Sequence, residues 1–174
     1  MIRNTSFLNN FALSGGAIFI NTLTTYTTIV DCLFTNNSAT HFGGAIYALS
    51  DKDVIIRGTK FIDNFANISE GAIHVTFVKL FDSQFESNHA VHSGGAIHVY
   101  GNSIAGGAII SNSTFYFNQA LGGDGGALYC KQSSIELHRG ISEANSAVNG
   151  GFMHLLGCNA IIGDDFNVIG NMAT

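Results

Sequence analysis

The sequence is organised by one short motif that recurs seven times. In its complete form the motif is Phe-x-x-Asn-x-Ala followed by Gly-Gly-Ala-Ile, as at Phe7, Asn10, Ala12 and 15–18. Five copies are complete or nearly so, and the last two keep mainly the asparagine and the alanine. The repeated asparagines are 27, 27, 24, 30, 27 and 26 residues apart: Asn10, Asn37, Asn64, Asn88, Asn118, Asn145 and Asn171. Such regular self-similarity predicts a stack of structural repeats.

Between these asparagines the apolar residues alternate with period two, which is typical of β-strands. No apolar stripe with the period of a helix is long enough to predict one. Three residues before the asparagine, five copies have a phenylalanine: Phe7, Phe34, Phe61, Phe85 and Phe115. The sixth copy has Ser142 at this position. Because each column keeps one type of residue, every repeat is predicted to fill the same position above the one before it.

The predicted fold is therefore all-β: a single chain wound as a right-handed parallel β-helix (a β-solenoid) of about six coils of about 27 residues. Each coil is expected to hold about three short strands, and residues 1–174 are interpreted as one repeat domain. Coils about 4.8 Å apart would stack the phenylalanines in a column inside the solenoid. The chain contains 21 glycines and no proline, as a continuous hydrogen-bonded ladder would favour.

The asparagine and the glycine pair are expected to form the corners of each coil. Asparagine tolerates the left-handed conformation, and its amide can donate and accept along the axis, so a ladder of asparagine side chains is predicted. The glycine pair is expected to supply positive φ angles. Glu70 replaces the first glycine of one pair, whereas the second glycine is never replaced, so the second is predicted to be the stricter requirement.

Charge and hydropathy exclude several classes of function. The chain has 7 basic and 12 acidic residues and a net charge of −5, which argues against a nucleic-acid partner. The longest apolar runs are about five residues, far below the ~20 that span a bilayer, so no membrane-spanning segment is predicted. The three cysteines contain no CxxC pair, and Cys130, in an inward column, is interpreted as a small core residue.

The ordered recurrence of Phe-x-x-Asn and Gly-Gly-Ala-Ile, as at Phe7–Asn10 and 15–18, resembles the repeat of the chlamydial polymorphic outer-membrane proteins. The resemblance extends over essentially the whole chain. It implies a non-enzymatic, surface-exposed passenger of an autotransporter that acts as an adhesin. By the same resemblance, the expected partner is a protein or glycan on the surface of a host cell or a neighbouring cell.

Both ends of the sequence are expected to cut through a coil, because the chain starts near Ile2, eight residues before an asparagine, and stops just after the last alanine. We therefore expect the chain to be a fragment of a longer protein. Strand edges at the cut ends would favour end-to-end self-association. The resemblance implies the outer membrane of a Gram-negative bacterium as the location.

A second location follows from four N-glycosylation sequons, which begin at Asn4, Asn36, Asn67 and Asn112. If these are glycosylated, the chain would be a secreted eukaryotic protein of the same repeat class.

The alternative function is that of a carbohydrate-active β-helix enzyme, a polysaccharide lyase or a glycoside hydrolase, with its catalytic coils outside this segment. Hydrolysis of a glycosidic bond needs two facing carboxylates. Asp31 and Asp82 share an outward column, but Gly58 separates them, and the adjacent pair Asp164 and Asp165 lies in the degenerate last coil. No catalytic residue is therefore predicted.

One outward column carries the candidate binding residues. Three positions after the second glycine of each pair the residues are aromatic or histidine: Phe19, Tyr47, His74, His98, Tyr129 and His154. Tyr47, His74, His98 and Tyr129 are predicted to contact a sugar or protein ligand. His74 and His98 would be neighbours on adjacent coils, but the flanking positions offer no third ligand, so neither a metal nor a cofactor is predicted.

Overall fold

The computed structural model describes residues 1–22, 26–50, 52–69, 71–101 and 107–174, and this part of the chain is built from β-strands without a helix. The first three coils contain β1 (Ile2–Arg3), β2 (Ser6–Leu8), β3 (Phe11–Ser14), β4 (Ile18–Thr22), β5 (Thr27–Val30), β6 (Leu33–Thr35), β7 (Ser38–Phe42), β8 (Ile46–Ser50), β9 (Val54–Arg57), β10 (Lys60–Ile62), β11 (Phe65–Ala66) and β12 (Ile73–Val75).

The remaining coils contain β13 (Val78–Phe81), β14 (Gln84–Glu86), β15 (His89–Ala90), β16 (Ile97–Tyr100), β17 (Ala108–Tyr116), β18 (Gln119–Ala120), β19 (Leu128–Lys131), β20 (Ser134–Glu143), β21 (Ser146–Ala147), β22 (Met153–Leu156), β23 (Asn159–Ile162), β24 (Phe166–Ile169) and β25 (Met172–Ala173). The first four coils have four short strands each instead of the expected three. In the next two coils the first two strands are continuous, as β17 and β20.

All strand pairs are parallel and join one coil to the next, which confirms the predicted β-solenoid. The first sheet has twelve strands in two rows, joined by β17 and β20. The second sheet stacks β3, β7, β11, β15, β18, β21 and β25, and the third stacks β4, β8, β12, β16, β19 and β22. The register matches the sequence repeat, since Phe61 pairs with Phe34 on one side and with Phe85 on the other.

The phenylalanine column forms the centre of the core, as predicted. From Phe7 to Phe115 the successive ring centroids are 4.6 to 5.1 Å apart and the rings are within 11° of parallel. The four rings from Phe34 onwards are fully buried. Burying one such side chain contributes roughly 1.5–3 kcal/mol, so the column is a main source of stability.

The sixth coil fills the same space with a different residue. Ser142 occupies the phenylalanine position there, and Phe152 occupies a position that holds alanine in each preceding coil. The Phe152 ring lies 6.1 Å from the ring of Phe115 and stacks at 5.6 Å on Phe166 of the next coil. The aromatic core therefore continues through this coil although the motif is interrupted.

The asparagine ladder is present. Each asparagine from Asn10 to Asn145 donates its backbone N–H and its side-chain Nδ2 to the Oδ1 of the asparagine one coil further on, at 2.9–3.1 Å and 2.7–3.0 Å respectively. From Asn37 on, the Nδ2 also donates to a carbonyl of the preceding coil, as from Asn64 to Phe34. One side chain thus connects three coils.

The left-handed conformation lies one residue before the position we expected. The residue preceding the ladder asparagine has φ between 52° and 57° in all seven copies: Asn9, Asn36, Asp63, Ser87, Phe117, Ala144 and Gly170. The expectation of a left-handed conformation at the ladder asparagine itself was wrong, because the residue before it makes the turn and the asparagine hydrogen-bonds along the axis. A second left-handed corner, six residues before the asparagine, separates the two rows of the first sheet: Asn4, Asp31, Gly58, Asp82, Asn112, Arg139 and Asp165.

The two glycines of each pair are required for different reasons. Gly43 has φ of +60°, as predicted for the pair. Gly44 has no positive φ, so the prediction was wrong for the second glycine. A Cβ on Gly44 would collide with the backbone carbonyl of Gly71 in the next coil, which explains why the second position is never replaced. Glu70, which substitutes for a first glycine, lies outside the described residues.

Cys130 is buried in the inward column as predicted, but its interpretation as a simple core residue was incomplete. It forms a disulfide with Cys158, 28 residues later in the chain, and the two Cα atoms are 6.2 Å apart. Since Cys158 follows the strand of the next coil, the disulfide joins two successive coils. Cys32 is a buried free thiol.

Candidate functional site

The predicted outward column lies along the outer face of the third sheet. The strand register aligns Phe19 with Tyr47, Tyr47 with His74, His74 with His98, His98 with Tyr129 and Tyr129 with His154. We call these six residues the ring column. They share a face because each lies three residues after the second glycine, where the strand points its side chain away from the core.

The rings of the column are in continuous contact. Neighbouring ring centroids are 4.7 to 5.4 Å apart from Phe19 to His154. Tyr47 and His74 are stacked, whereas the His98 ring is turned by 74° from His74 and by 78° from Tyr129. His98 therefore interrupts an otherwise parallel stack at the middle of the face.

The centre of the column is more enclosed than a plain strand face. Phe19 is 57% exposed, but His74 and Tyr129 retain only 7% and 9% of their accessible surface. Phe42 lies on one side of His74, with ring centroids 5.8 Å apart, and Tyr100 lies 6.3 Å from His74. Both aromatic neighbours pack near His74 at the centre of the ring column.

Together these side chains form an open pocket of about 380 Å³. Its lining, which we call the ring pocket, consists of Phe42, Tyr47, Leu49, His74, His98, Tyr100 and Lys131. Three of the four predicted residues line it, and Tyr129 contacts His98 from the next coil. Whether these residues bind a ligand remains a prediction.

Phe42, Leu49, Tyr100 and Lys131 line the pocket but were not predicted from the sequence. Phe42 immediately precedes its glycine pair, where other coils have small or polar residues: Ser14, Ser69, Ser93, Asp124 and Asn149. This single aromatic in a polar column was a usable signal. Tyr100 and Lys131 lie two residues beyond the ring column, at paired positions of β16 and β19.

The charges near the site are few. The Lys131 ammonium is 6.0 Å from the centroid of the Tyr100 ring. His154, at the end of the ring column, is 3.9 Å from an Asp124 carboxylate oxygen. On the first sheet, the Lys79 ammonium lies 2.7 Å from an Asp53 carboxylate oxygen. This hydrogen bond raises the pKa of Lys79, and the attraction between the two charges raises it further. That ion pair lies outside the ring pocket.

Two kinds of site are relevant to the described residues, a metal site and the carboxylate pair of a glycoside hydrolase. Within the five described segments, no group of three or more His, Cys, Asp and Glu side chains is placed to hold a metal ion. Asp31 and Asp82 are exposed on different coils with Gly58 between them, and Asp164 and Asp165 are exposed near the end of the solenoid. This arrangement does not assemble the two facing carboxylates that glycoside hydrolysis needs.

The four sequon asparagines Asn4, Asn36, Asn67 and Asn112 are all exposed, and their glycosylation stays a prediction. Across the parts of the chain that the structure describes, there is also no helix long and apolar enough to cross a bilayer.

Two segments of the chain, residues 31–49 and 82–100, match the family model of the Chlamydia polymorphic membrane protein (Chlamydia_PMP) repeat. Both run from a left-handed corner, through a ladder asparagine and the glycine pair, to the rim of the ring pocket. The predicted resemblance to this repeat family is confirmed at these two repeats. No curated protein and no solved structure matches the chain. A parallel β-solenoid made of this repeat fits a surface repeat protein of the autotransporter passenger kind, and the carbohydrate-active alternative is not favoured.

Proposed function

We propose that this chain is part of a non-enzymatic adhesin, a rod displayed at the cell surface whose outer faces contact a protein or glycan on another cell. The observation that carries the proposal is the combination of the matched repeat with its structure. Residues 31–49 and 82–100 lie on the second and fourth coils, and they contribute Phe42, Tyr47, Leu49, His98 and Tyr100 to the ring pocket.

The division between constant and variable corners supports a binding role. The corner between the two rows of the first sheet is two residues long in the first four coils, as at Asp31 and Cys32. The corner that follows the third sheet varies from two residues, at 76–77, to seven, at 101–107. Of the longer corner, residues 102–106 lie outside the described residues. Length can therefore vary at this corner without changing the stacked columns.

The position of the variable corner also supports the proposal. Leu49, Tyr100 and Lys131 stand at or near the ends of third-sheet strands, immediately before that corner. A ligand in the ring pocket would therefore contact the repeated face at the strand ends that lead into this corner. Binding specificity could change between related rods while the stacking residues stay the same.

Cell attachment tests the proposal directly. Fluorescent beads coated with the folded chain should attach to cultured epithelial cells in a saturable manner, and soluble chain should compete. The matched control is Gly44→Val, because a side chain at Gly44 collides with the carbonyl of Gly71 and should prevent stacking. Equal attachment of wild-type and Gly44→Val beads would contradict adhesion by the folded surface.

Catalysis by the coils of this chain has its own test. The folded chain is incubated with neutral and acidic polysaccharides, and new reducing ends and unsaturated products are measured. We expect neither product. Release of either one by the wild-type chain would overturn the non-enzymatic part of the proposal.

A further inference from the structure

The ring pocket has the size and shape to hold one small ring. Its volume of about 380 Å³ is near the lower end of ligand pockets, which span about 300–1,000 Å³. Between ring centroids, Phe42 lies 6.1 Å from Tyr47 and Tyr100 lies 6.1 Å from His98. The rim is accessible, since Leu49 is 37% and Tyr100 is 40% exposed. A volume of this size can hold a six-membered ring.

The charge of the pocket favours an anion. Among the described residues, Lys131 is the charged side chain of the lining, and none of the described acidic side chains lines the pocket. Within the described residues Lys131 has no ion pair, whereas Lys79 is paired with Asp53 and Arg57 lies over the Phe81 ring at 4.1 Å. A cation beside apolar groups attracts a carboxylate more strongly than a fully solvated cation does, because the local dielectric constant is lower. This attraction is local, because the chain as a whole carries a net charge of −5.

The mixture of apolar and polar groups favours a sugar over an aromatic side chain. Tyr100 and Lys131 both line the pocket and bring a hydroxyl group and an ammonium group to it. Burying such groups against a phenyl ring would remove their hydrogen bonds to water without replacing them, at a cost in free energy. A pyranose ring offers hydroxyl groups to them and C–H groups to the aromatic rings, whose faces carry partial negative charge.

We propose that the ring pocket binds a single pyranose ring that carries a carboxylate, an acidic sugar of a cell-surface glycan. This inference rests on the proposed adhesive function and names the class of ligand for it. The carboxylate pairs with Lys131, and the sugar ring packs between Phe42 and Tyr100 above His74 and His98.

The test is an NMR chemical-shift titration of the full chain with three probes: methyl β-glucuronide, methyl β-glucoside and 3-phenylpropionate. We expect saturable shifts at the ring pocket with the glucuronide, and affinity at least tenfold lower for the neutral glucoside and for the phenyl carboxylate. Lys131→Gln should weaken glucuronide binding at least fivefold. Its matched control is Lys60→Gln, an exposed lysine on the first sheet.

Phe42→Ser should also weaken glucuronide binding at least fivefold, and it should fold because serine occupies the same position in the first, third and fourth coils. Phe11→Ser is its control, since Phe11 is 74% exposed in the second sheet and pairs with Ser38. Equal binding of glucoside and glucuronide, or tighter binding of phenylpropionate, would overturn the sugar assignment. Phenylpropionate binding would instead indicate a peptide ligand.

Bead attachment separates this inference from the proposed function. If wild-type beads attach to cells but the glucuronide does not bind, the assignment of an acidic sugar is wrong and the adhesive role stands. If the glucuronide binds at the ring pocket but the beads do not attach, the pocket is real and the adhesive role is wrong.

Discussion

The side-chain Nδ2 of Asn64 donates to the Oδ1 of Asn88 at 2.9 Å, and the backbone N–H of Asn64 donates to the same oxygen at 3.0 Å. The two asparagines are 24 residues apart, in a chain whose other asparagine spacings are 26 to 30. The ladder therefore keeps its geometry when the length of the coil changes. Length differences are absorbed at other corners, so the asparagine column sets the alignment of successive coils.

Replacing a central ladder residue should cost more than replacing a terminal one. Asn64→Leu removes side-chain bonds to Asn37, Asn88 and Phe34, and leaves buried partners without hydrogen bonds. Each such group costs about 1–3 kcal/mol, so we expect Asn64→Leu to lower the free energy of unfolding by about 3 kcal/mol or more. The side chain of Asn10 has its ladder contact only with Asn37 among the described residues, so Asn10→Leu should cost far less. Equal urea midpoints for the two variants would contradict this order.

In the sixth coil a small residue, Ser142, replaces phenylalanine, and a large one, Phe152, replaces alanine. We therefore expect substitutions at these two positions to have strongly coupled effects on the free energy of unfolding. Phe152→Ala should leave a cavity that costs about 3–5 kcal/mol, and Ser142→Phe should overpack the core and cost about 1–3 kcal/mol. The double variant restores the arrangement of the first five coils and should be more stable than the sum of the single effects by at least about 1 kcal/mol.

A double-mutant cycle from urea denaturation measures that coupling. Part of it is offset, because Ser142 Oγ accepts a hydrogen bond from Asn145 and donates one to Asn171. Ser142→Ala is therefore the control that separates loss of the hydroxyl from the change in volume. Additive effects of the two core substitutions would count against compensation.

The disulfide should stabilise the C-terminal coils. A cross-link over a sequence separation of 28 residues restricts the unfolded chain, and closing a loop of this length contributes about 3–4 kcal/mol. Reduction with dithiothreitol should therefore lower the melting temperature of the wild-type chain. Cys158→Ser should melt at the lower temperature with or without reductant, whereas Cys32→Ser should keep the response. A wild-type melting temperature that ignores reductant would show that the disulfide contributes nothing.

The last coil should promote association of this chain with itself. Ile162 and Val168 occupy core positions of the repeat, aligned with Leu137 and Ser142, yet they are 50% and 51% exposed. Burying them against another copy is favourable, and open strand edges add backbone pairing. We expect the sedimentation coefficient to rise with concentration, and Val168→Glu to suppress the rise. Val148→Glu, at an exposed side position, is the control. Monomeric sedimentation of the wild-type chain at high concentration would contradict end-to-end association.

The contacts between equivalent residues of successive coils could be predicted from the sequence alone. Phe61 touches Phe34 and Phe85, and His74 touches Tyr47 and His98, because in a solenoid the neighbour of a residue is its counterpart one period away. Aligning the repeats therefore predicted the core column, the asparagine ladder and the ring column. It also placed the glycine pair correctly, although it assigned the wrong conformation to the second glycine.

The contacts between different columns could not be obtained in this way. Whether Phe42 reaches His74, whether Tyr100 and Lys131 border the same pocket, and whether Phe152 fills the space left by Ser142 all depend on the cross-section of the coil. The same holds for Cys130 and Cys158, which occupy different positions in the repeat. The repeat is enough to predict which residues stack along the axis, because the hydrogen-bonded register repeats with the motif. Which columns meet around each coil depends on the folded cross-section, because the corner angles that bring separate columns together are set by packing and not by the period.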